Sequence, residues 1–284
     1  MKPPPFDLAA PATLAEATAL LARGDARVIA GGQSLLQDLR WRRVRPALLV
    51  DVAGIDELAG ITGDGATVRI GARVRHRDVE RPRSTVPGPL GALLAETAGW
   101  IAHPPVRARG TLVGSLAWGH PAAEWCALAA GLDGRVELAS TTGRREERVA
   151  DLLLGPGRTS CAPSEMISAL LLPRLPEGTR TAVAESRRTH ASFAHVAVTA
   201  ALLPDGRPRL GLAGAGPTAR RAHAAEAAFT ATGNPAAAGD AAAADDADPR
   251  EHPHATPDYT RHVVGVLVRR ALTAVSGASE EDAA

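Results

Sequence analysis

Ala30-Gly31-Gly32-Gln33-Ser34-Leu35-Leu36 sits between two short apolar runs, Arg27-Val28-Ile29-Ala30 before it and Ala47-Leu48-Leu49-Val50-Asp51-Val52 after it. That spacing predicts a buried strand, a tight turn on two glycines, a short helix from Ser34 and a second buried strand. Upstream, Thr13-Leu14-Ala15-Glu16 has the form of a capping box and Gly24 that of a helix stop, with Leu14, Ala17, Leu20 and Leu21 on one face. Residues 1–55 therefore read as a helix, a strand, a glycine turn, a second helix and a second strand.

The glycine turn has chemical potential. Two glycines after a strand let successive amides converge into a concave nest, which binds phosphate oxygens. Ser34 adds a hydroxyl and stands where it would cap the next helix, whose N-terminus also favours an anion. The same residues would equally serve a plain strand-to-helix turn at positive φ. A second small-residue bend follows about 80 positions later, Val106-Arg107-Ala108-Arg109-Gly110-Thr111-Leu112-Val113-Gly114-Ser115. A diphosphate held between two such bends needs no lysine, because main-chain amides carry the compensating charge. The competing reading of the second bend is an exposed basic loop.

The remaining chain changes texture. Gly63-Asp64-Gly65 is a turn signal before a strand at 67–72. A helix is predicted over 90–100, an irregular stretch over 103–119, and a helix with Pro121 at its first position running to about Leu132. A hairpin around Thr142-Gly143 joins strands at 135–140 and 145–150, and another strand covers 165–172. Residues 173–178 read as a linker, 180–188 as a strand, 191–203 as a helix and 209–214 as a strand. The Ala/Asp/Pro-biased segment 234–257 reads as a mobile loop, 259–275 as a final helix, and the acidic tail at Ser279-Glu280-Glu281-Asp282 as frayed.

Composition narrows the function classes. At 284 residues the chain is long enough for two domains at roughly 150 residues each. Apolar residues make up 45% and charged ones 22%, ordinary for a globular protein. The formal charge is +1, with one lysine against 31 arginines, so no overall field argues for nucleic acid. Aromatics are 3%, which leaves Ala, Val and Leu to build the core. Cys126 and Cys161 lie 35 positions apart without a C-x-x-C pattern, which excludes a zinc ribbon, a redox dithiol or an iron–sulfur cluster carried by this chain. No apolar run approaches the roughly 18 residues of a membrane span, and the start, Met1-Lys2-Pro3-Pro4-Pro5-Phe6, has no secretory h-region, so a cytoplasmic protein is expected. His103 and His120 each precede a proline, but nothing sets a metal geometry around them. Gly214-Ala215-Gly216 reads as a strand-end turn, Cys126 as a small buried hydrophobe on a helix, and Trp118, near the second bend, either as core or as a flat surface on which a ligand ring could stack. No Ser-His-Asp or paired-carboxylate arrangement emerges, so neither catalytic side chains nor a metal site is assigned.

Taken in order, these stretches resemble the FAD-binding (medium) subunits of molybdenum hydroxylases, of the carbon monoxide dehydrogenase and xanthine dehydrogenase type. Ala30 through Leu36 is similar to the family's A-G-G-[QH]-S-L-L-P, and Arg69-Ile70-Gly71-Ala72 with Arg75-His76 to R-I-G-A…T-R-H. Val106 through Ala117 resembles V-R-N-R-G-T-I-G-G-S-L-A, and Pro121-Ala122-Ala123-Glu124 resembles D-P-A-A-E without its Asp. Arg187-Arg188 with Phe193-Ala194, Gly214 to Arg220, and Asp258-Tyr259-Thr260-Arg261 through Leu272 extend the likeness over nearly the whole chain.

The resemblance implies an α+β fold: a two-part PCMH-type FAD-binding domain over 1–175, with subdomains of about 1–55 and 56–175, then a smaller α+β domain over 178–284. It implies FAD as cofactor, a molybdopterin-binding large subunit and a 2Fe-2S small subunit as partners, and electron transfer from the clusters through FAD to an acceptor. Ala30, Gly31, Gly32, Gln33, Ser34 and Leu35 would hold the cofactor on one side; Thr111, Val113, Gly114 and Ser115 would form the second wall, and His120 a ring or sugar contact. Four positions depart from the family pattern. Val113 stands for a Gly, and at positive φ it would cost about 1–3 kcal/mol. His120 and Ser192 each replace an Asp, and Gln37 a Pro. These departures keep open a degenerate subunit without flavin, serving assembly or regulation, and a stand-alone flavin oxidoreductase.

Overall fold

A computed structural model describes residues 2–63, 65–80, 86–189, 192–251 and 254–277 of the chain. Its first unit is a three-stranded parallel sheet: β1 (Asp7–Ala9), α1 (Leu14–Leu21), β2 (Ala26–Ile29), α2 (Leu35–Arg40) and β3 (Leu48–Asp51), ordered β1-β3-β2. Thr13 caps α1 by accepting the Glu16 amide at 3.2 Å, while the Glu16 carboxylate accepts the Ala12 amide at 2.8 Å, one residue before the reciprocal bond of a full capping box. Leu14, Ala17, Thr18 and Leu21 are its buried face.

The second unit contains β4 (Ile61–Gly63), β5 (Thr67–Gly71), α3 (His76–Val79), α4 (Gly88–Trp100), α5 (Pro104–Arg107), α6 (Leu112–Trp118), α7 (Glu124–Gly131), β6 (Arg135–Ser140), β7 (Gly143–Arg148), α8 (Val149–Leu152), β8 (Leu153–Gly155), β9 (Arg158–Thr159) and β10 (Met166–Pro173). Its five-stranded antiparallel sheet is ordered β4-β5-β10-β6-β7. The central β10 is apolar and mostly buried, whereas the edge strand β7 reads Gly-Arg-Arg-Glu-Glu-Arg and is largely exposed. A charged edge of that kind discourages pairing with another chain. The stretch 103–119, expected to be irregular, forms the two short helices α5 and α6 instead. Pro121 does not open α7, which begins at Glu124.

The third unit holds β11 (Arg180–Ser186), β12 (Val196–Leu202), β13 (Pro208–Ala213), β14 (Arg220–Arg221), α9 (His223–Thr232), α10 (Pro235–Ala241) and α11 (Pro257–Ser276), with its sheet in that sequential order and antiparallel throughout. Two expectations fail here. The helix predicted over 191–203 is the strand β12. Its Val196, Val198, Ala200 and Leu202 pack into the core shared with α11, and Ala197 and Ala201 point to the opposite core. Both faces are covered, so no polar face marked the period of two. The segment 234–257, predicted as a loop, contains α10, capped by Asn234 and opened by Pro235, then a π-helical turn over Ala242–Asp246. The Asp246 carboxylate accepts the amides of Ala224 at 3.0 Å and Ala225 at 2.9 Å, which ties the segment to the start of α9. The acidic tail at 279–282 lies outside the described residues.

The second and third units are locked through glycines. A Cβ on Gly131 of α7 would stand 2.6 Å from the Gly211 amide nitrogen of β13. The third sheet is thus sandwiched between α7 and α11. Among the described residues, no helix is long and apolar enough to cross a membrane.

Candidate FAD-binding cleft

A cleft of about 1750 Å³ opens where the three units meet. The first glycine bend forms one side of it. β2 runs parallel to β3 as far as Ile29 opposite Asp51, and the chain then leaves the sheet at Ala30. Gly32 has φ +73, a conformation in which an L side chain is strained. The Gln33 side-chain amide donates to the Gly31 carbonyl at 3.0 Å and holds the turn closed. The first helical bond runs from the Leu36 amide to the Gly32 carbonyl at 3.1 Å, so the amides of Gly31 to Leu35 lie ahead of the helical ladder. Ser34 occupies the cap position but makes no side-chain capping bond, contrary to expectation. Its backbone is already in the αR region, φ −90 and ψ −50, which turns the hydroxyl away from the N2 and N3 amides a cap would serve. The hydroxyl is left for other partners.

The second bend passes directly beneath the first. A Cβ on Gly31 would overlap the Arg109 carbonyl and stand 2.7 Å from Gly110 Cα. Both bends line the cleft side by side, touching at Gly31 and Gly110. They are built differently. The Gly110 amide donates to Val106 O at 2.8 Å, the Leu112 amide to Val74 O at 3.2 Å, the Gly114 amide to Thr111 Oγ1 at 3.0 Å and the Ser115 amide to Thr111 O at 3.2 Å. Gly114 is needed for closeness rather than for φ: a Cβ there would lie 2.7 Å from Thr111 Oγ1 and disturb the cap. The strain that a positive φ would impose at Val113 is absent. Val113 lies inside α6, is 3% exposed, and is not among the described non-glycine residues at positive φ, which are Asp25, Arg42, Ala102 and Asp133.

A third wall is aromatic and was only partly foreseen. Trp118 stacks on His120 with centroids 4.9 Å apart, and His120 stacks on Phe193 at 4.3 Å. Trp118 Nε1 donates to Asp38 at 3.3 Å and so joins the end of α6 to α2. His120 Nδ1 accepts the Ala122 amide at 3.2 Å, which leaves the ring proton on Nε2. Burial pushes the imidazole below its ordinary range, so a neutral ring stands where the family has a carboxylate. The half-exposed Phe193 comes from the third unit, and nothing local in its sequence marks it as a neighbour of residue 120. Arg27, Arg43, Arg158 and Arg188 also line the cleft, together with the carboxylates of Asp25, Asp38, Glu165 and Glu251, so its rim carries both signs and Arg43 pairs with Asp38 at 3.4 Å.

Behind the second bend lie buried ionisable groups that sequence reasoning did not single out. The His76 ring packs beside Trp125 and accepts its indole N–H at 3.0 Å. Glu124 and Glu185 are both buried. Burial drives Glu124 up to about 7, and burial plus the Glu124 charge drives Glu185 up to about 8. Neither Glu185 oxygen has a hydrogen-bond partner among the described residues, and its ion partner Arg187 is 3.7 Å away. Only tertiary folding brings these carboxylates together, 61 positions apart in the chain. Cys126 is fully buried and its thiol is pushed up to about 12, an inert packing residue as expected.

The family model described as the FAD binding domain in molybdopterin dehydrogenase matches residues 4–175. The chain belongs to this family. Among relatives of this FAD-binding family, the alpha subunit of the 6-hydroxypseudooxynicotine dehydrogenase complex of Paenarthrobacter nicotinovorans is 36% identical, over 96% of this chain and 95% of that protein. The carbon monoxide dehydrogenase medium chain of Hydrogenophaga pseudoflava is 34% identical, over 96% and 98%. A solved carbon monoxide dehydrogenase from that organism superposes with a TM-score of 0.89 at 34% identity, covering 98% of this chain and 99% of the other. The α+β architecture and the flavin cofactor expected from the sequence are those of the FAD-binding family, and the dehydrogenase relatives support the oxidoreductase reading over a flavin-free or stand-alone protein.

Proposed function

We propose that this chain is the FAD-carrying subunit of a molybdenum-dependent oxidoreductase, working with a molybdopterin-binding large subunit and a 2Fe-2S small subunit. The observation that carries the reading is the contact between the two bends. Gly31 lacks a Cβ because the backbone of residues 109–110 occupies that place, and the paired bends border a cleft roomy enough for a dinucleotide. When bound, FAD accepts electrons and passes them on, which is the chemistry the protein itself lacks.

The roles of the two bends differ in this reading. The amides of Gly31, Gly32, Gln33, Ser34 and Leu35 cradle the diphosphate, with Ala30 leading the chain into the turn and the Ser34 hydroxyl as an added donor. Thr111, Val113, Gly114 and Ser115 form a firm adjoining wall whose own amides are largely engaged. Trp118, His120 and Phe193 supply flat surface of the kind that packs on a flavin or adenine ring, with the neutral His120 Nε2–H as a donor. No side chain is required as an acid or base. The FAD-binding domain comprises residues 1–175, in subdomains of about 1–55 and 56–175, and residues 178–284 form a second domain that contributes Phe193 to the cleft. A cytoplasmic location fits the two free cysteines.

The test is to purify the full chain with and without added FAD. A yellow protein with one flavin per chain is expected. A protein that stays colourless with excess FAD would end this reading and leave the flavin-free subunit. Purification as a three-subunit complex is expected when the partner subunits are co-expressed.

A further inference from the structure

His76 opens α3 and is 4% exposed. Its Nδ1 accepts a hydrogen bond from Trp125 Nε1 at 3.0 Å. An indole nitrogen can only donate, so Nδ1 must be unprotonated and the ring proton resides on Nε2. Burial, reinforced by the nearby Arg107 guanidinium, pushes the imidazole down to about 4, which keeps the ring neutral. The tautomer is therefore fixed by a neighbour and the charge state by the surroundings.

The Nε2 edge faces Gly110. A Cβ at position 110 would stand 2.6 Å from Nε2 and 2.9 Å from Cδ2, so only a glycine there lets the ring edge come this close to the second bend. His76 lines the cleft, and among the described residues nothing hydrogen-bonds to Nε2. An oriented N–H donor on an otherwise buried ring thus borders the cleft at the junction of the two bends, Gly31 lying against Gly110 on the other side. His76 Nε2 is not one of the sealed, partnerless side-chain atoms among the described residues, which are Arg107 Nε and both Glu185 oxygens, so this donor is reachable from the cleft by a ligand. The second bend has most of its amides engaged internally, so a side-chain donor supplies what its main chain does not.

We infer that His76 is a further FAD ligand, donating its Nε2–H to an oxygen of the bound cofactor on the side of the second bend, with Trp125 as the positioning residue that fixes the proton on Nε2. This rests on the FAD reading above. It assigns a cofactor contact to a residue far from either glycine bend in sequence, and it gives the buried indole a role beyond packing.

The experiment titrates full-length apoprotein with FAD, following flavin fluorescence, and compares wild type with two variants. His76→Asn keeps an acceptor for the Trp125 indole and removes the Nε2–H; its FAD affinity is expected to fall about tenfold, the scale of one hydrogen bond. His76→Gln places an amide N–H near the Nε2 position and is expected to recover most of that loss. A merely structural histidine would show no such split between Asn and Gln. Side-chain ¹⁵N NMR of the wild type supplies a readout independent of folding in the variants: a protonated Nε2 before FAD is added, and a shift of that resonance on saturation. An Nε2 signal unmoved by saturating FAD, or a His76→Asn protein that binds FAD within twofold of wild type, overturns the inference. Failure of the wild-type chain to bind FAD is a separate result, read first, that removes the underlying FAD assignment and this inference together.

Discussion

The two bends that border the cleft look alike as sequence and differ as structures. The first, at residues 30–35, has its amides ahead of the helical ladder and one side-chain brace, from Gln33 to Gly31 O. The second, at residues 109–115, is stitched into the protein through Val74, Val106, Thr111 and the backbone of His76. A bend that keeps its donors unpaired can receive a ligand; a bend that has satisfied its own can only shape the space. Small polar residues in sequence do not distinguish these cases, because both need glycine, one for a left-handed φ and close approach, the other for room around a cap.

The largest effect expected from this contrast is at Gly31. In Gly31→Ala the new methyl meets the backbone of Arg109 and Gly110, and no flexible side chain can yield. Overpacking of this sort costs about 1–3 kcal/mol, and here it acts by separating the bends. FAD affinity is expected to fall about tenfold to a hundredfold, measured by flavin titration of the purified chain. Gly114→Ala, whose methyl would meet only the end of a threonine side chain, is the control and is expected to lose less affinity. Equal losses in the two would erase the distinction drawn between the bends.

Val113→Gly separates strain from packing. Restoring the family's glycine would improve FAD binding if Val113 were held at positive φ. Instead Val113 is a buried helical residue, so its removal forfeits about 1.5–3 kcal/mol of burial and adds about 1 kcal/mol of helix penalty. The expected outcome is a lower thermal midpoint with no gain in FAD affinity.

The pH dependence of stability sharpens the contrast further. Glu124 immediately precedes Trp125, which holds His76 behind the second bend, and Glu185 lies beside it. Both carboxyls have folded-state values raised above the ordinary one near 4.5, to about 7 and about 8. The folded protein therefore binds these protons more tightly than the unfolded chain does. The stability they allow is complete below pH 4.5 and is lost as pH rises through about 7 and 8. Glu185→Gln removes the charge and is expected to stabilise the protein by about 1–3 kcal/mol at pH 9, with the advantage vanishing near pH 4.5, read from denaturant unfolding at the two pH values. A pH-independent difference would mean that Glu185 is not protonated in the fold.

The parts of the molecule that were legible from sequence are those set by local chemistry. Thr13 before Leu14, the hairpin read around Thr142-Gly143, and the apolar runs at 27–30 and 47–52 each became the element predicted for them. Failures came where burial on both faces removed the polar half of the pattern. Val196 to Leu202 is rich in alanine, a strong helix former, yet lies as the second strand of a sheet covered by α7 and α11, where tertiary packing overrides propensity. At the cleft, the glycines were visible but their reason was not, because Gly31 is a glycine on account of backbone 78 positions away. The Trp118–His120–Phe193 wall and the Trp125–His76 pair have the same origin: each joins residues from separate elements, and no spacing rule along the chain reports them.

The smallest effect concerns the cap of the second bend. Thr111 Oγ1 accepts the Gly114 amide, and Thr111 itself is 5% exposed. Thr111→Val keeps nearly the same volume and removes the acceptor, at a cost of about 1 kcal/mol, the scale of an N-cap. The freed Gly114 amide would then point toward the same space as the cofactor. If the second bend is only a wall, FAD affinity is expected to stay within about threefold of wild type while the thermal midpoint drops, because a lost cap loosens α6 without touching the amides of the first bend. A gain in affinity from the released donor would instead show that the two bends can exchange roles, and that what separates them is a single threonine oxygen.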